Sequence, residues 1–351
     1  MNVLALNSSP RTGGQSKTEM MLNHLVQGMR EAGAEVEVVN LHEKKIEYCI
    51  GCYTCWTKTP GKCLHKDDMT TELFPKWLNA DVAVYATPLY DFTLNAEMKA
   101  FIERTLPFLE PFFEQKDNRS AHPFRHSPPA AVVLSVAGFI EMSVFDQLSN
   151  YFQFLFGHQG LMAEIYRPAA ESLSMDEAKK ETVLSATVQA GRELVNNRRV
   201  SAETLNLIQQ PIVDFETFAL NGNTFWKTCI AEGVTPKEFR EKKMVPRPDS
   251  IESFMVIFPR GINTQAVGEE KKILQFHFSG QVTDSCSFMI QKDRMSAKQG
   301  RQENPDITVE TPFELWMDII TRKADGQQLF MEQKYTVSGD LELMIQLFQN
   351  S

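Results

Sequence analysis

The sequence lacks the features of several protein classes. Its longest apolar run, Ala130–Ile140, has 11 residues, whereas a membrane-spanning helix needs about 20. No basic and apolar secretory signal follows Met1. Six cysteines in 351 residues do not make a disulfide scaffold, and a formal charge of -9 argues against nonspecific nucleic-acid binding. We therefore expect a cytoplasmic protein with no membrane span and no nucleic-acid partner.

The composition and the length of the chain predict two folded domains. The hydrophobic share of 42% and the charged share of 23% are ordinary for a folded chain, and the length suits about two domains. Up to about residue 200, short apolar runs alternate with helical periodicity, which is typical of a parallel sheet covered on both faces. The runs are Val3–Leu6, Val36–Val39, Val82–Tyr85, Ala130–Val136 and Leu161–Tyr166. We predict an α/β fold with a five-stranded flavodoxin-like doubly wound parallel sheet in residues 1–200.

The pattern changes after residue 200. Residues 201–249 look helical and end near Pro246-Arg247-Pro248, so we predict a helical linker there. From residue 250, strands follow one another with a few helices, which indicates an α+β domain over 250–351. The predicted strands are Phe254–Phe258, Lys272–Phe278, Ser285–Lys292, Arg294–Gln299, Ile307–Glu310 and Phe330–Val337, and the predicted helices are Phe313–Lys323 and Asp340–Phe348.

Capping sequences mark several helix starts. Ser174-x-x-Glu177 and Thr235-x-x-Glu238 match the capping box. Asp67-Asp68 precedes a predicted helix near Met69, and we interpret it as a helix cap rather than a catalytic pair.

The loop after the first strand is rich in hydroxyls. Residues 7–18 carry Ser or Thr at five positions beside Arg11, between a strand and a helix start, where backbone N–H groups favour an anion. Neither G-x-G-x-x-G nor a Walker A loop is present. A terminal phosphate monoester, as in FMN, suits such a loop. The alternative is a capped helix start with ordinary turn residues.

Three segments carry a family resemblance. They are Ser9–Ser16, Thr87–Arg104 and Ser135–Phe139, after the first, third and fourth predicted strands. Together they resemble the NADPH-dependent FMN reductase and iron–sulfur flavoprotein family, which implies FMN at the carboxyl ends of the strands. Lys17 departs from the pattern, and its role stays open. The resemblance assigns FMN binding to Ser9, Arg11, Gln15, Ser16, Lys17, Thr18, Thr87, Pro88, Leu89, Tyr90, Asp91, Phe92, Asn95, Ser135, Ala137 and Gly138.

The same resemblance implies an activity. The flavin would take a hydride from NAD(P)H and pass electrons to a small acceptor such as a quinone, so few acid–base side chains are needed. Tyr90 is a candidate proton donor or stacking wall. We expect a homo-oligomer. The alternative is a lipid-binding or redox-sensing protein whose flavodoxin-like half is a scaffold.

Four cysteines form the sharpest local motif. Cys49, Cys52, Cys55 and Cys63 follow the second strand with gaps of two, two and seven residues. Thiolates at such spacing suit an iron–sulfur cluster or zinc. The motif resembles the compact cluster motif of the iron–sulfur flavoproteins, which implies a 4Fe-4S cluster. Structural zinc and simply packed thiols remain open alternatives.

The C-terminal domain shows a second resemblance. Leu274–Gly280, Pro305–Thr311 and Tyr335–Leu341 resemble the sterol carrier protein 2 lipid-binding family. The resemblance implies a five-stranded sheet and helices around an apolar tunnel that takes a lipid-like ligand. Asp284–Ser287 departs from the family pattern and leaves the tunnel's shape open. Candidate lining residues, each with plain core as the alternative, are Phe276, Phe278, Phe288, Ile290, Trp316, Ile319, Met331 and Met344.

Overall fold

The five N-terminal apolar runs pair into one parallel sheet. A computed structural model describes residues 1–11, 14–116, 119–292 and 294–348. The strands of its first unit, Met1–Val213, are β1 (Asn2–Asn7), β2 (Glu35–Asn40), β3 (Val82–Pro88), β4 (Glu114–Lys116), β5 (Arg119–Ala121), β6 (Ala130–Val136) and β7 (Leu161–Arg167). The parallel order β2-β1-β3-β6-β7 confirms the predicted flavodoxin-like doubly wound sheet. The short hairpin of β4 and β5 was not predicted.

Helices cover both faces of this sheet. They are α1 (Lys17–Glu31), α2 (Phe74–Asn79), α3 (Ala96–Glu103), α4 (Asp146–Gly160), α5 (Glu177–Asn197) and α6 (Ala202–Gln209). One core lies under α1 and α5, and the other lies on the opposite face, under α2, α3 and α4. Because both faces are covered, every residue of β3 is buried, as a central parallel strand requires.

Two glycines let α1 and α5 approach backbone to backbone. A Cβ on Gly191 would lie 2.1 Å from the carbonyl oxygen of Leu25, and one on Gly28 would lie 1.8 Å from that of Val188. These separations are far below any real contact, so any side chain at either position would push the two helices apart.

The start of α5 differs from the prediction. Asp176, not Ser174, is the N-cap, and its carboxylate accepts a hydrogen bond from the N–H of Lys179. Ser174 lies in the preceding 3₁₀ turn, Ala170–Met175. The capping box at Thr235 is confirmed.

The second unit, Asp214–Ser351, holds a mixed sheet. Its helices are α7 (Phe215–Glu232), α8 (Pro236–Glu241), α9 (Ile251–Ile257), α10 (Phe313–Ile320), α11 (Gly326–Met331) and α12 (Leu341–Phe348). Its strands are β8 (Lys272–Ser279), β9 (Ser285–Gln291), β10 (Arg294–Gln299), β11 (Ile307–Pro312) and β12 (Thr336–Gly339), in the order β10-β9-β8-β11-β12. Only β8 and β11 pair in parallel among them, and an aromatic core joins the sheet to α9, α10 and α12.

One predicted strand of this unit is wrong, and another is right only in its last two residues. Phe254–Phe258 lies mostly in α9, because Ser250 and Ser253 form a reciprocal cap that starts a helix. Residues 330–335 precede β12, and the first two of them are the last residues of α11. Asp325 caps the N-terminus of α11 by accepting hydrogen bonds from two backbone N–H groups. Local capping here outweighs the β-type apolar spacing.

The boundary between the units falls inside the predicted linker. It lies between Val213 and Asp214, so α6 belongs to the first unit and α7 and α8 belong to the second. The predicted domain limits 1–200, 201–249 and 250–351 stay a prediction. Within the described ranges, no helix combines the length and apolar character needed to cross a membrane.

Candidate functional site

Three loops are tied together at one edge of the first sheet, where β1, β3 and β6 end. The first loop, after β1, is joined to the end of β3, where the second loop begins, through Ser8, whose N–H donates to the carbonyl of Ala86 at 2.9 Å. Asn95 Nδ2 donates back to the carbonyl of Ser8 at 2.5 Å. The second loop, after β3, is joined to the end of β6, where the third loop begins, because Leu89 N–H donates to the carbonyl of Val136 at 2.9 Å. The three segments that carry the family resemblance therefore share one edge.

The hydroxyls of the first loop mainly build the loop itself. Ser16 Oγ donates to Ser9 Oγ at 2.8 Å and accepts from the N–H of Glu19 at 3.0 Å, which caps α1. Both serines are buried. Arg11 is half exposed and pairs with Glu171 at 2.9 Å. The Arg11 guanidinium is therefore held near the edge by an ion pair whose attraction is weakened by solvent screening.

The other predicted residues of this loop differ in exposure. Thr18 is buried in the first turn of α1, whereas Gln15 and Lys17 are partly exposed. Thr12 and Gly13, which belong to the same predicted phosphate loop, lie outside the described residues.

The second loop is a tight turn held at both ends. Asn95 caps α3, and its N–H donates to Thr87 Oγ1 at 3.2 Å. Between them, Tyr90 and Thr93 exchange two backbone hydrogen bonds of 3.0 Å. Pro88 is buried at the end of β3.

The tip of this turn is strained. Asp91 and Phe92 have φ angles of 49° and 64°, in the left-handed region that side chains other than glycine rarely adopt. Such strain costs of order 1–3 kcal/mol per residue and clusters at ligand sites. Here it places Phe92 against Phe139 of the third loop, with stacked rings 6.0 Å apart. Sequence reasoning missed Phe139, although it ends the third resembling segment.

The end of β6, which leads into the third loop, carries a buried polar side chain. Ser135 is fully buried, and its Oγ has no hydrogen-bond partner among the described residues. Ala137 is also buried, and its N–H donates to the carbonyl of Arg167 at 3.0 Å, while Gly138 is exposed. A buried hydroxyl without a partner is costly. The edge therefore fits a ligand that supplies a polar atom at Ser135.

The cysteine loop folds back on itself. Gly61 N–H donates to the carbonyl of Cys55 at 3.0 Å, so the turn brings Cys63 towards Cys55. All four cysteines of the motif, with Tyr53, line one narrow cavity. Burial, followed by the neighbouring thiols, raises the pKa of Cys55.

The four thiols are a donor set that suits an iron–sulfur cluster or zinc. Four thiols converge on one cavity, and four cysteines are the usual ligands of 4Fe-4S centres. No three His, Cys, Asp or Glu side chains surround a point where one metal ion would sit, as far as the structure describes the chain.

A buried ion pair lies beside this loop. Arg104 and Asp67 are bonded through both carboxylate oxygens, at 2.7 and 3.0 Å, with side chains 1% and 0% exposed. Asp67 also accepts from the N–H of Thr70 at 3.0 Å, so its carboxylate caps the first turn of the π-helical segment Met69–Leu73, near the predicted helix start. Burial alone would raise the pKa of Asp67, but the bonds from Arg104, Glu47 and Thr70 hold it well below its usual range. Sequence reasoning missed the pairing, which joins residues far apart in the chain.

The second unit contains its own cavity. It has a volume of about 510 Å³, and its charged lining residues are Arg260 and Arg322. The remaining lining residues are mostly apolar: Met244, Val245, Pro246, Ile257, Phe258, Gly261, Ile262, Ile319, Ile320 and Phe348.

This cavity is not where the sequence analysis expected a tunnel. Of the eight candidate lining residues, only Ile319 lines it. Met331 is 71% exposed. The rest pack into the aromatic core as buried side chains: Phe276, Phe278, Phe288, Ile290, Trp316 and Met344.

Two family models match the sequence. The NADPH-dependent FMN reductase family matches residues 1–163, and the SCP-2 sterol transfer family matches residues 264–349. The predicted pairing of these two families is confirmed.

Curated relatives match over shorter stretches. An iron–sulfur flavoprotein of Archaeoglobus fulgidus is 38% identical over 108 residues, which is 31% of this chain and 47% of that protein. An iron–sulfur flavoprotein of Methanocaldococcus jannaschii is 34% identical over 104 residues, which is 30% of this chain and 50% of that protein. The chain thus spans about half the length of these relatives.

Among solved structures, the NAD(P)H:quinone oxidoreductase from Methanothermobacter marburgensis is similar, with 20% identity and a TM-score of 0.42. The match covers 55% of this chain and 96% of that one.

Replacing Asp67 by Asn tests the ion pair. We expect the free energy of unfolding to fall by about 3–5 kcal/mol at neutral pH, because Arg104 stays buried without its counter-charge. Because the pKa of Asp67 is lowered in the folded state, its carboxylate stabilises the fold at pH values above the ordinary pKa of 3.8. This stabilisation is lost as the pH falls below that value. The gap between variant and wild type should therefore shrink in acid. Urea unfolding at several pH values measures it, with Asp68→Asn as the neighbouring control.

Proposed function

We propose that this chain is a flavin-dependent NAD(P)H oxidoreductase that binds FMN at the loop edge of the first sheet. The observation that carries the proposal is the buried, unpartnered hydroxyl of Ser135 where the three hydrogen-bonded loops meet. This edge lies in the region that matches the FMN reductase family. The edge also lies at the carboxyl ends of parallel strands, where doubly wound sheets bind their ligands.

The residues at the edge divide into three roles. The N-terminus of α1 and the Arg11 guanidinium would hold the phosphate. Ser135 would bond a polar edge of the ring system, and the exposed rings of Tyr90 and Phe92 would face its flat surface. Bound FMN would supply hydride acceptance from NAD(P)H and onward electron transfer to a small acceptor such as a quinone.

We further propose that Cys49, Cys52, Cys55 and Cys63 hold a 4Fe-4S cluster. Their convergence on one cavity supports this, as does the similarity of the chain to iron–sulfur flavoproteins. Tyr53, which lines the same cavity, would shield one side of the cluster from water.

For the second unit we propose an apolar ligand with an anionic head. The 510 Å³ cavity falls in the usual range for small-molecule sites. Two arginines and no acidic side chain appear among the described residues that line it. An alternative follows from this cavity: a lipid-binding or redox-sensing protein whose first unit is a scaffold. Steady NAD(P)H oxidation with a quinone would favour the oxidoreductase.

The FMN proposal predicts a phosphate role for Arg11. Arg11→Ala should weaken FMN binding about tenfold, or about 1.5 kcal/mol, because a charged hydrogen bond to the phosphate is lost. Flavin fluorescence quenching measures the dissociation constant. Arg30→Ala, at the other end of α1, is the control and should leave it unchanged. Wild-type protein that takes up no FMN would contradict the proposal.

The cluster proposal predicts iron and sulfide. Anaerobic protein should carry about four irons and four acid-labile sulfides per chain. Cys55→Ser should lose most of both, because one ligand is removed. Cys229→Ser changes a buried cysteine of the second unit and should lose neither. Four freely alkylated thiols and no iron in wild-type protein would argue for packed cysteines instead.

The ligand proposal predicts where a lipid-like probe binds. Ile320→Gln places a polar group in the cavity and should weaken binding of a fluorescent fatty acid about tenfold. Met331→Gln changes an exposed residue outside the cavity and should have no effect. Equal weakening by both variants, or no binding by wild type, would refute this location.

A further inference from the structure

Arg104 has one hydrogen-bond donor left over. A guanidinium carries five N–H donors. Nη1 donates to the carbonyl of Glu47 and to Asp67 Oδ2, and Nη2 donates to Asp67 Oδ1 and to Thr70 Oγ1. These bonds use four donors. Nε is buried and has no partner among the described residues.

Asp67 is not a ready partner for this donor. Its Oδ1 accepts from Arg104 and from the N–H of Thr70, and its Oδ2 accepts from Arg104 and from the N–H of Glu47. Both oxygens are therefore already shared. A buried N–H without an acceptor is costly, so the site is built for a further acceptor.

Cys63 is the candidate acceptor. Both residues line the cavity on which the four cysteines converge. Burial alone would lower the pKa of Arg104, but the bonds to Asp67 and the neighbouring Cys63 raise it. A thiol sulfur is a weak acceptor, whereas the thiolate that ligates a metal centre carries charge and accepts strongly.

We propose that Arg104 Nε–H donates a hydrogen bond to Sγ of Cys63 when Cys63 ligates the cluster, which makes Arg104 a positioning residue for the fourth ligand. This inference rests on the proposal that the four cysteines hold a cluster. Asp67 offsets the charge of Arg104, so the effect comes mainly from the oriented N–H. Hydrogen bonds to cluster sulfurs stabilise the more negative, reduced form and raise the reduction potential.

The same residue connects the cluster loop to the flavin edge. Arg104 is the C-cap of α3, and Asn95, which bonds the first loop through Ser8, is its N-cap. Eight residues of helix lie between these caps, a rise of about 12 Å at 1.5 Å per residue. Arg104 thus fixes Cys63 relative to an element that also shapes the FMN edge.

The test uses full-length protein reconstituted anaerobically with iron and sulfide. In wild type carrying ¹⁵Nε-labelled arginine, pulsed EPR of the reduced cluster should show a nitrogen coupling that Arg104→Lys abolishes. Arg104→Lys and the charge-neutral pair Asp67→Asn with Arg104→Gln should lower the cluster's midpoint potential or its iron content. Lys99→Gln, in an exposed pair on the same helix, is the control and should change neither.

The outcomes separate this inference from the proposal beneath it. Wild type that assembles no cluster refutes the cluster proposal and this inference with it. Wild type with a cluster but no arginine coupling refutes only the role of Arg104, even if the variants do not fold. Folded variants with wild-type iron content and potential refute it as well.

Discussion

The buried pair of Asp67 and Arg104 sets the shape of the cysteine loop. Residues 44–68 contain no helix or strand of their own, so the loop depends on side-chain contacts to hold one conformation. Asp67 holds the loop through the N–H of Glu47, and Arg104 holds it through the Glu47 carbonyl. The pair thus clamps the chain just before Cys49 and just after Cys63. Because neither charge reaches water, losing one partner costs far more than losing an exposed pair.

The loop edge of the first sheet follows a related rule, because most of its polar side chains form hydrogen bonds within the protein. Ser16 caps a helix and Asn95 both caps a helix and ties two loops. What remains for a ligand is backbone, a few outward groups such as Arg11 and Phe92, and the unpaired hydroxyl of Ser135. The described parts of this edge are thus joined by side-chain hydrogen bonds within the protein.

In the second unit, side-chain packing fills the place where the sequence predicted an apolar tunnel. Phe254, supplied by a helix that was predicted to be a strand, contacts Phe276, Phe278 and Phe288 and fills the space over the sheet. The cavity therefore forms beside the core, between residues 244–246, 257–262 and the helices α10 and α12. Its two arginines give it a chemical preference that an apolar tunnel would lack.

The sequence by itself determined the parallel sheet, its helical cover and the four-cysteine motif, because these depend on local periodicity and short spacings, whereas a family resemblance marked the three loop segments. Local signals already misled the prediction twice: Asp176 rather than Ser174 caps α5, and the cap formed by Ser250 and Ser253 makes a helix where the apolar spacing of Phe254–Phe258 predicted a strand. Only the tertiary structure paired Asp67 with Arg104, stacked Phe92 on Phe139 and left Ser135 without a partner. Each of these joins or isolates residues from separate elements, and no local pattern encodes which distant side chain will satisfy a buried polar group.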